Sequence, residues 1–295
     1  VTRVVALGGG HGLAATLAAA RRYADDLCAI VSVADDGGSS GRLRAIAGLP
    51  PPGDIRRCLV ALGDETSTWG RALEHRFEAG ELDGHPLGNL LIAGLAGATG
   101  DFQAAVDEAG RLVGAVGRVL PATVEPVVLT AELAGGGRVE GQVKVANAGP
   151  IATVSVLPAD AAAPAAAVEA ITGADMVVLG PGSLYTSVLA VAVVPAIGRA
   201  LASTGAQLVY VCNLRPQVPE TEGYGADAHL AALAAHGLRI DTMLHDPSTM
   251  AACPARSPAA GGGEPPRCVE RELARPGGAA HDPARLAAAL SDLFG

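Results

Sequence analysis

Val4-Val5-Ala6-Leu7-Gly8-Gly9-Gly10-His11-Gly12-Leu13 opens on four apolar residues, breaks into glycines, and resumes in an alanine- and leucine-rich stretch. Residues 4–7 read as a strand buried on both faces, 8–12 as a turn and 13–23 as a helix. A second apolar run, residues 28–34, ends on Asp35-Asp36-Gly37-Gly38-Ser39-Ser40-Gly41-Arg42. Two such strands flanking a helix form a parallel βαβ unit, since parallel strands need a crossover and lose solvent on both faces.

Working outward, Pro50-Pro51-Pro52-Gly53 leads into a helix with Asp54 expected as its N-cap and Ile55, Leu59 and Leu62 spaced by four and three. Residues 69–79, 86–99 and 102–116 also read as helices, so about 54–117 is a helical insertion. Residues 127–133 and 138–145, parted by Gly135-Gly136-Gly137, predict a β-hairpin, and 151–157 a further strand. The α/β rhythm then returns, with helices at 165–172 and 227–236 and strands at 176–179, 207–212 and 240–245. Residues 254–266, rich in Ala, Gly and Pro, predict a mobile loop. Residues 269–273 predict an edge strand and 283–294 a closing helix. The expected fold is a single α/β domain over 1–295, doubly wound on a mostly parallel sheet.

Composition agrees. Hydrophobic residues make up 49% of the 295 and charged residues 17%, enough to bury a large core. Aromatics are only 3%, so that core is aliphatic. A net charge of −9 argues against nucleic acid as a partner, because phosphate backbones require clustered Lys and Arg. It allows a nucleotide, whose phosphates backbone N–H groups can hold. Cys28, Cys58, Cys212, Cys253 and Cys268 form no C-x-x-C pair and are expected as reduced thiols. No apolar run reaches the ~18 residues of a membrane span. A soluble, cytoplasmic protein with no membrane partner is expected.

The chemistry concentrates at strand ends. Gly8, Gly9, Gly10, His11 and Gly12 stand where a strand turns into a helix, with N–H groups free for an anion. Asp35 and Asp36 lie where a ribose-binding carboxylate is expected, or where two carboxylates hold Mg²⁺ beside a phosphate. Gly38, Ser39 and Ser40 offer an anion nest, and Arg42 a charged contact. Asn89, an amide in an apolar helix, needs a partner and is a candidate ligand contact, as is Asp54. Gly180-Pro181-Gly182-Ser183-Leu184-Tyr185-Thr186 repeats the strand–turn–helix device, which adds Gly180, Pro181, Gly182, Ser183, Tyr185 and Thr186. Asn213 ends another apolar strand, in place to read a base or sugar. Glu220 and Thr221 either join the site or cap a helix. Ser183 lacks the frame of a hydrolase nucleophile, and no catalytic residue is assigned.

Taken together and in order, the glycine turn, the D-D-G-G-S-S-G-R-L block, P-P-G-D-I-R at 51–56, G-N-L-L at 88–91, G-P-G-S-L-Y-T-S at 180–187 and C-N-L at 212–214 resemble YvcK-like gluconeogenesis factors of the CofD-like (2-phospho-L-lactate transferase) superfamily. The likeness spans roughly residues 4–245, with His11 where those proteins usually carry Thr. It implies a Rossmann-like fold and a nucleotide-sugar ligand of the UDP-N-acetylglucosamine type, or another nucleotide diphosphate. It also implies a regulatory role in carbon flux and in cell-wall and cell-shape maintenance. The alternative is a Mg²⁺-dependent transferase moving phospholactate from a nucleotide diphosphate to a deazaflavin. An NAD-dependent dehydrogenase is a third reading, disfavoured by the second glycine-serine turn. The insertion and hairpin offer apolar surfaces that a homodimer would cover.

Overall fold

A computed structural model describes residues 1–64, 66–248, 265–278 and 280–294. Strand β1 (Arg3–Gly8) leads through helix α1 (Gly10–Ala20) to β2 (Asp26–Val31). Helices α2 (Gly38–Ala47), α3 (Gly53–Leu62), α4 (Thr68–Glu74), α5 (Leu87–Thr99) and α6 (Phe102–Val113) follow before β3 (Arg118–Pro121). Then come β4 (Val128–Leu133), β5 (Arg138–Glu140), helix α7 (Gln142–Ala146) and β6 (Ile151–Leu157). The second half runs α8 (Ala165–Gly173), β7 (Met176–Leu179), a π-helical turn (Leu184–Leu189) continued by α9 (Ala190–Ala192), α10 (Pro195–Ser203), β8 (Gln207–Val211), α11 (Ala226–Ala235), β9 (Thr242–His245), β10 (Arg267–Glu270) and α12 (Pro283–Ser291).

Seven strands form one sheet in the order β10-β9-β8-β7-β1-β2-β3, every neighbouring pair parallel. The chain moves outward from β1 to β3, then returns to the other side of β1 with β7. The order therefore reverses between β1 and β7. In open α/β sheets ligands bind outside the carboxyl ends of strands at that reversal. The central strands are buried along almost their whole length, β7 and β9 at every residue. This is why the runs at 4–7, 28–34 and 176–179 carry no polar alternation.

The register makes the reversal a built edge. Leu7 pairs with Ile30 of β2 on one side and with Leu179 of β7 on the other. The ladder continues past the strands, with Ser32 N–H donating to the Gly8 carbonyl and Gly180 N–H to that of Leu7. Three turns thus leave the sheet at one level: 9–12, 32–37 and 180–183.

A second, antiparallel sheet has the order β5-β4-β6. Its inner face, with Leu129, Ala131 and Val154, joins the main core. His236, at the end of α11, accepts the Val154 N–H at Nε2 while Nδ1 bonds the Ala232 carbonyl, which fixes a neutral ring between helix and small sheet.

Several expectations need revision. The hairpin's second strand stops at Glu140, and residues 142–146 form α7. A β-branched run (Val139, Val143, Val145) suits a strand, but Gly141 at φ 101° turns the chain and Val145 packs as a helical core residue. Residues 38–47, for which the sequence pattern predicts no element, form α2, and β3 lacked a distinct signal because four residues carry little period. Helix α3 starts at Gly53 with Pro52 at the N-cap and Asp54 inside the first turn. Helix α4 ends at Glu74, short of 79, and α6 at Val113, where Gly114 closes it in the left-handed region. Cys28, Cys58 and Cys212 are free and buried, whereas Cys268 is disulfide-bonded. The loop expected over 254–266 lies, apart from 265 and 266, outside the described residues. Among the described residues no single helix is long and apolar enough to cross a membrane.

His229 on α11 is fully buried, with Nδ1 on the Tyr210 hydroxyl at 2.8 Å, and burial lowers its pKa from 6.5 to about 4. The unfolded chain therefore binds a proton between those values that the folded chain refuses, and stability falls as pH drops from 7 towards 4. Comparing urea unfolding at pH 7 and pH 5, His229→Phe is expected to remove a pH-dependent loss on the order of 2 kcal/mol that the parent shows.

Candidate functional site

Helix α1 begins directly at the edge where β1 ends. Gly9 is its N-cap, extended at φ −163° and ψ 176°, and Gly10 follows at φ 64° in the left-handed region. Among the described residues no side chain caps this helix, and its first turn holds no acidic residue. Its leading N–H groups and the positive end of its dipole therefore face the crevice. His11 is exposed in the same turn.

The second glycine turn lies against the first. A Cβ at Gly12 would stand 2.0 Å from the Pro181 carbonyl oxygen and 3.0 Å from the Gly182 nitrogen. A Cβ at Gly182 would lie 3.5 Å from the Gly9 carbonyl oxygen. Thr16 Oγ1 of α1 donates to the Gly180 carbonyl at 2.7 Å. The two turns, which the sequence placed 170 residues apart, are one contiguous structure.

Their donors are not equivalent. The Asn213 side chain closes a ring on one residue: Gly182 N–H donates to Oδ1 at 2.9 Å, and Nδ2 donates to the Gly182 carbonyl at 2.8 Å. Glu220, 3% exposed, accepts the Tyr185 N–H at 2.7 Å, the Thr186 N–H at 3.3 Å and, through Oε2, the Thr186 hydroxyl at 2.9 Å. Burial raises the Glu220 carboxyl above its ordinary range, and these bonds oppose the shift. A protein carboxylate thus already occupies the donors expected for a second phosphate. Tyr185 is 2% exposed, its hydroxyl on Tyr224 and the Ile151 carbonyl, so its ring belongs to the core. Ser183 remains half-buried at the rim.

The acidic block divides. Asp36 is exposed and turns to the small sheet, accepting the Val143 N–H at 2.9 Å to hold the start of α7. Asp35 turns inward, with Oδ1 accepting the Gly37 N–H at 3.0 Å and Ser40 as a further partner. Its near acidic neighbour is Asp54: burial first, and then Asp54's charge, raises the Asp35 carboxyl above its usual range. Asp54 Oδ2 lies 2.5 Å from where a Cβ at Gly9 would stand, and Oδ1 pairs with Arg57 at 2.6 Å. Asp35 and Asp36, expected to hold a metal if any is bound, thus turn to different partners, and the carboxylate beside Asp35 is that of Asp54. Among the described residues no group of three or more His, Cys, Asp or Glu is placed for a metal. Two carboxylates beside a phosphate cradle still suit Mg²⁺, which takes its remaining ligands from phosphate and water.

Ser39, Arg42 and Asn89 serve the insertion. The Ser39 hydroxyl meets His85 Nδ1 at 2.8 Å and receives the Asn89 amide N–H at 3.0 Å, while Asn89 Oδ1 accepts from Arg56. Arg56, 2% exposed, reaches Glu74. Arg42 donates to the Asp83 carbonyl at 2.7 Å. These contacts fasten α2, and with it Gly38 and Ser40, to the helices over the crevice. Arg57 was not singled out from the sequence, though D-x-x-R at 54–57 is a helical i,i+3 pair that could have drawn notice.

A parallel sheet with a glycine turn and two carboxylates at its order reversal defines a Rossmann-like α/β protein. A family model described as "2-phospho-L-lactate transferase CofD" matches residues 4–267, and the chain belongs to the CofD family. It is 42% identical to a "Putative gluconeogenesis factor" of Mycobacterium tuberculosis (strain ATCC 25618 / H37Rv), over 97% of this chain and 89% of that one. It is also 42% identical to the "Gluconeogenesis factor" of Bacillus subtilis (strain 168), over 82% and 78% respectively. The crystal structure of a UPF0052-family protein from Bacillus halodurans superposes with a TM-score of 0.89 at 36% identity, covering 98% of both chains.

Gly12→Ala would drive a methyl group into the Pro181 carbonyl. Denaturant unfolding is expected to show a loss of about 1–3 kcal/mol, the usual cost of overpacking; an unchanged midpoint would mean that the turns are not in contact.

Proposed function

We propose that this protein binds a nucleotide sugar of the UDP-N-acetylglucosamine type and acts as a regulator in carbon metabolism, with a consequence for the cell wall and cell shape. The observation that carries the reading is the uncapped N-terminus of α1 at the order reversal, flanked by the second glycine turn and by Asp35, Asp54 and Arg57. A diphosphate lies against the N–H groups of residues 10–12, where glycine lets it approach the backbone. Arg57 adds charge beside it. Mg²⁺ would be held by Asp35 and Asp54 and would neutralise phosphate charge next to two carboxylates. The relatives named as gluconeogenesis factors support the metabolic role. The regulatory reading, in place of turnover, rests on those names.

The family description keeps one second reading in view, a Mg²⁺-dependent transferase acting on a nucleotide diphosphate donor, which would use the same carboxylate pair.

Isothermal calorimetry with UDP-N-acetylglucosamine and Mg²⁺ is expected to give a saturable heat. Asp54→Asn is expected to weaken binding about tenfold or more, a charge-assisted effect of the usual size. Asp36→Ala, which removes the acceptor of the Val143 N–H on α7, is expected to change the affinity less than about threefold, within the range of surface substitutions. No heat with any nucleoside diphosphate ligand would overturn the reading. Mass analysis after incubation with donor, deazaflavin acceptor and Mg²⁺ separates binding from transfer.

A further inference from the structure

The second glycine turn resembles a phosphate cradle, yet its donors are used internally. Gly182 N–H goes to Asn213, and the next two helix-initiating N–H groups, of Tyr185 and Thr186, go to Glu220. What the turn contributes to the crevice is shape. The Pro181 carbonyl fills the space left by the missing side chain of Gly12, and Gly182 packs on the Gly9 carbonyl. A shift of this turn would move the wall on which the first turn of α1 rests.

We propose that Asn213 is a positioning residue: its amide, acting as a surrogate peptide group on Gly182, holds the second turn against the first and so sets the affinity of the α1 cradle for its diphosphate. The proposal rests on the nucleotide-binding reading above. Geometry favours it over direct ligand contact. Asn213 is 9% exposed, and its oxygen and its nitrogen are both engaged on one residue, a two-bond ring that forbids rotation of the amide. The ring spends one of the amide's two N–H donors and one of its two acceptor lone pairs on Gly182, so the orientation of the side chain is set by the turn and not by a ligand.

The ring requires one acceptor and one donor. An ionised carboxylate supplies only acceptors and would face the Gly182 carbonyl with like partial charge. A protonated carboxyl has the same shape as the amide and supplies both. Asn213→Asp therefore carries a built-in rescue by acid. The titratable and charged groups around this position are Cys212 and Arg215 on the same segment, Glu220 beyond the turn, Asp54 across Gly9, and His281 with Asp246 behind Cys212. His281, lowered to about 4 by burial, stays neutral above pH 5. Any pH response of the cradle itself, including that of Asp35, is removed by referring each variant to the parent at the same pH.

Two measurements on the full chain test this. Hydrogen exchange without ligand, expressed as protection relative to the unstructured rate, reads the ring at residues 182–187. Calorimetry with UDP-N-acetylglucosamine reads the cradle. At this buried position, facing the Gly182 carbonyl, the neutral form of the introduced carboxyl is favoured and its titration moves up from the ordinary range of Asp. For Asn213→Asp we therefore expect protection to fall at least tenfold at pH 8 and to return towards the parent's, to within about threefold, at pH 5, with affinity following the same course. Asn213→Ala should lose both at each pH, with no recovery. Asn213→Asp protection that falls and recovers while its affinity stays equal to the parent's at both pH values would overturn the positioning role. Protection that does not respond to pH would overturn the ring itself. A parent that binds no nucleoside diphosphate sinks the functional reading and this role with it, whereas a binding parent with a pH-insensitive Asn213→Asp sinks the role alone.

Discussion

The crevice depends on the absence of one side chain. Gly12 has no Cβ, and the Pro181 carbonyl occupies the space where that atom would stand. This contact is available because β1 and β7 are hydrogen-bonded neighbours in register, Leu7 opposite Leu179, so that both strands end at one level. Each then turns on glycines towards its own helix. Among the described residues no side chain caps the helix after β1, whereas the one after β7 gives its leading N–H groups to Glu220. Similar local sequences thus reach opposite electrostatic ends, the second turn being satisfied from within the protein and serving as a wall.

That division explains why several polar side chains crowd one sheet edge without all facing the crevice. Asn213 and Glu220 are consumed behind the wall, Asp36 holds the small sheet, and Ser39 with Asn89, His85 and Arg56 forms a buried network under the insertion. Buried polar groups must find partners because leaving one unmet costs about 1–3 kcal/mol. Once satisfied, they hold backbone turns in place at low mobility. The groups left at the crevice are the α1 backbone, Asp35, Asp54, Arg57 and the rim residues His11 and Ser183.

The carboxylate pair adds a constraint of its own. Asp35 and Asp54 come from different helical entries, one after β2 and one at the start of α3, and meet near Gly9, Ser40 and Gly53. Burial and the neighbouring Asp54 charge hold the Asp35 carboxyl above its usual range, and Arg57 supplies a positive charge beside Asp54.

From the sequence alone, the apolar runs at 4–7, 28–34 and 176–179 and the glycines that follow the first and last of them were sufficient for a parallel α/β sheet with glycine turns at its carboxyl edge. Doubly buried strands and glycine punctuation are local signals, legible in a window of ten residues. The joint order of the motifs was likewise enough to indicate the family. The partner of each polar side chain was not legible. Asp36 looked equivalent to Asp35, and Asp54 looked like a helix cap; which carboxylate faces inward depends on helix α7, more than 100 residues later, which offers Asp36 the Val143 N–H. Asn213 and Glu220 lie 31 and 35 residues from the N–H groups they bind, at separations set by the packing of whole strands. Backbone propensity is a property of neighbours in the chain, whereas the fate of a hydrogen-bond donor is decided by whatever folding brings within 3 Å.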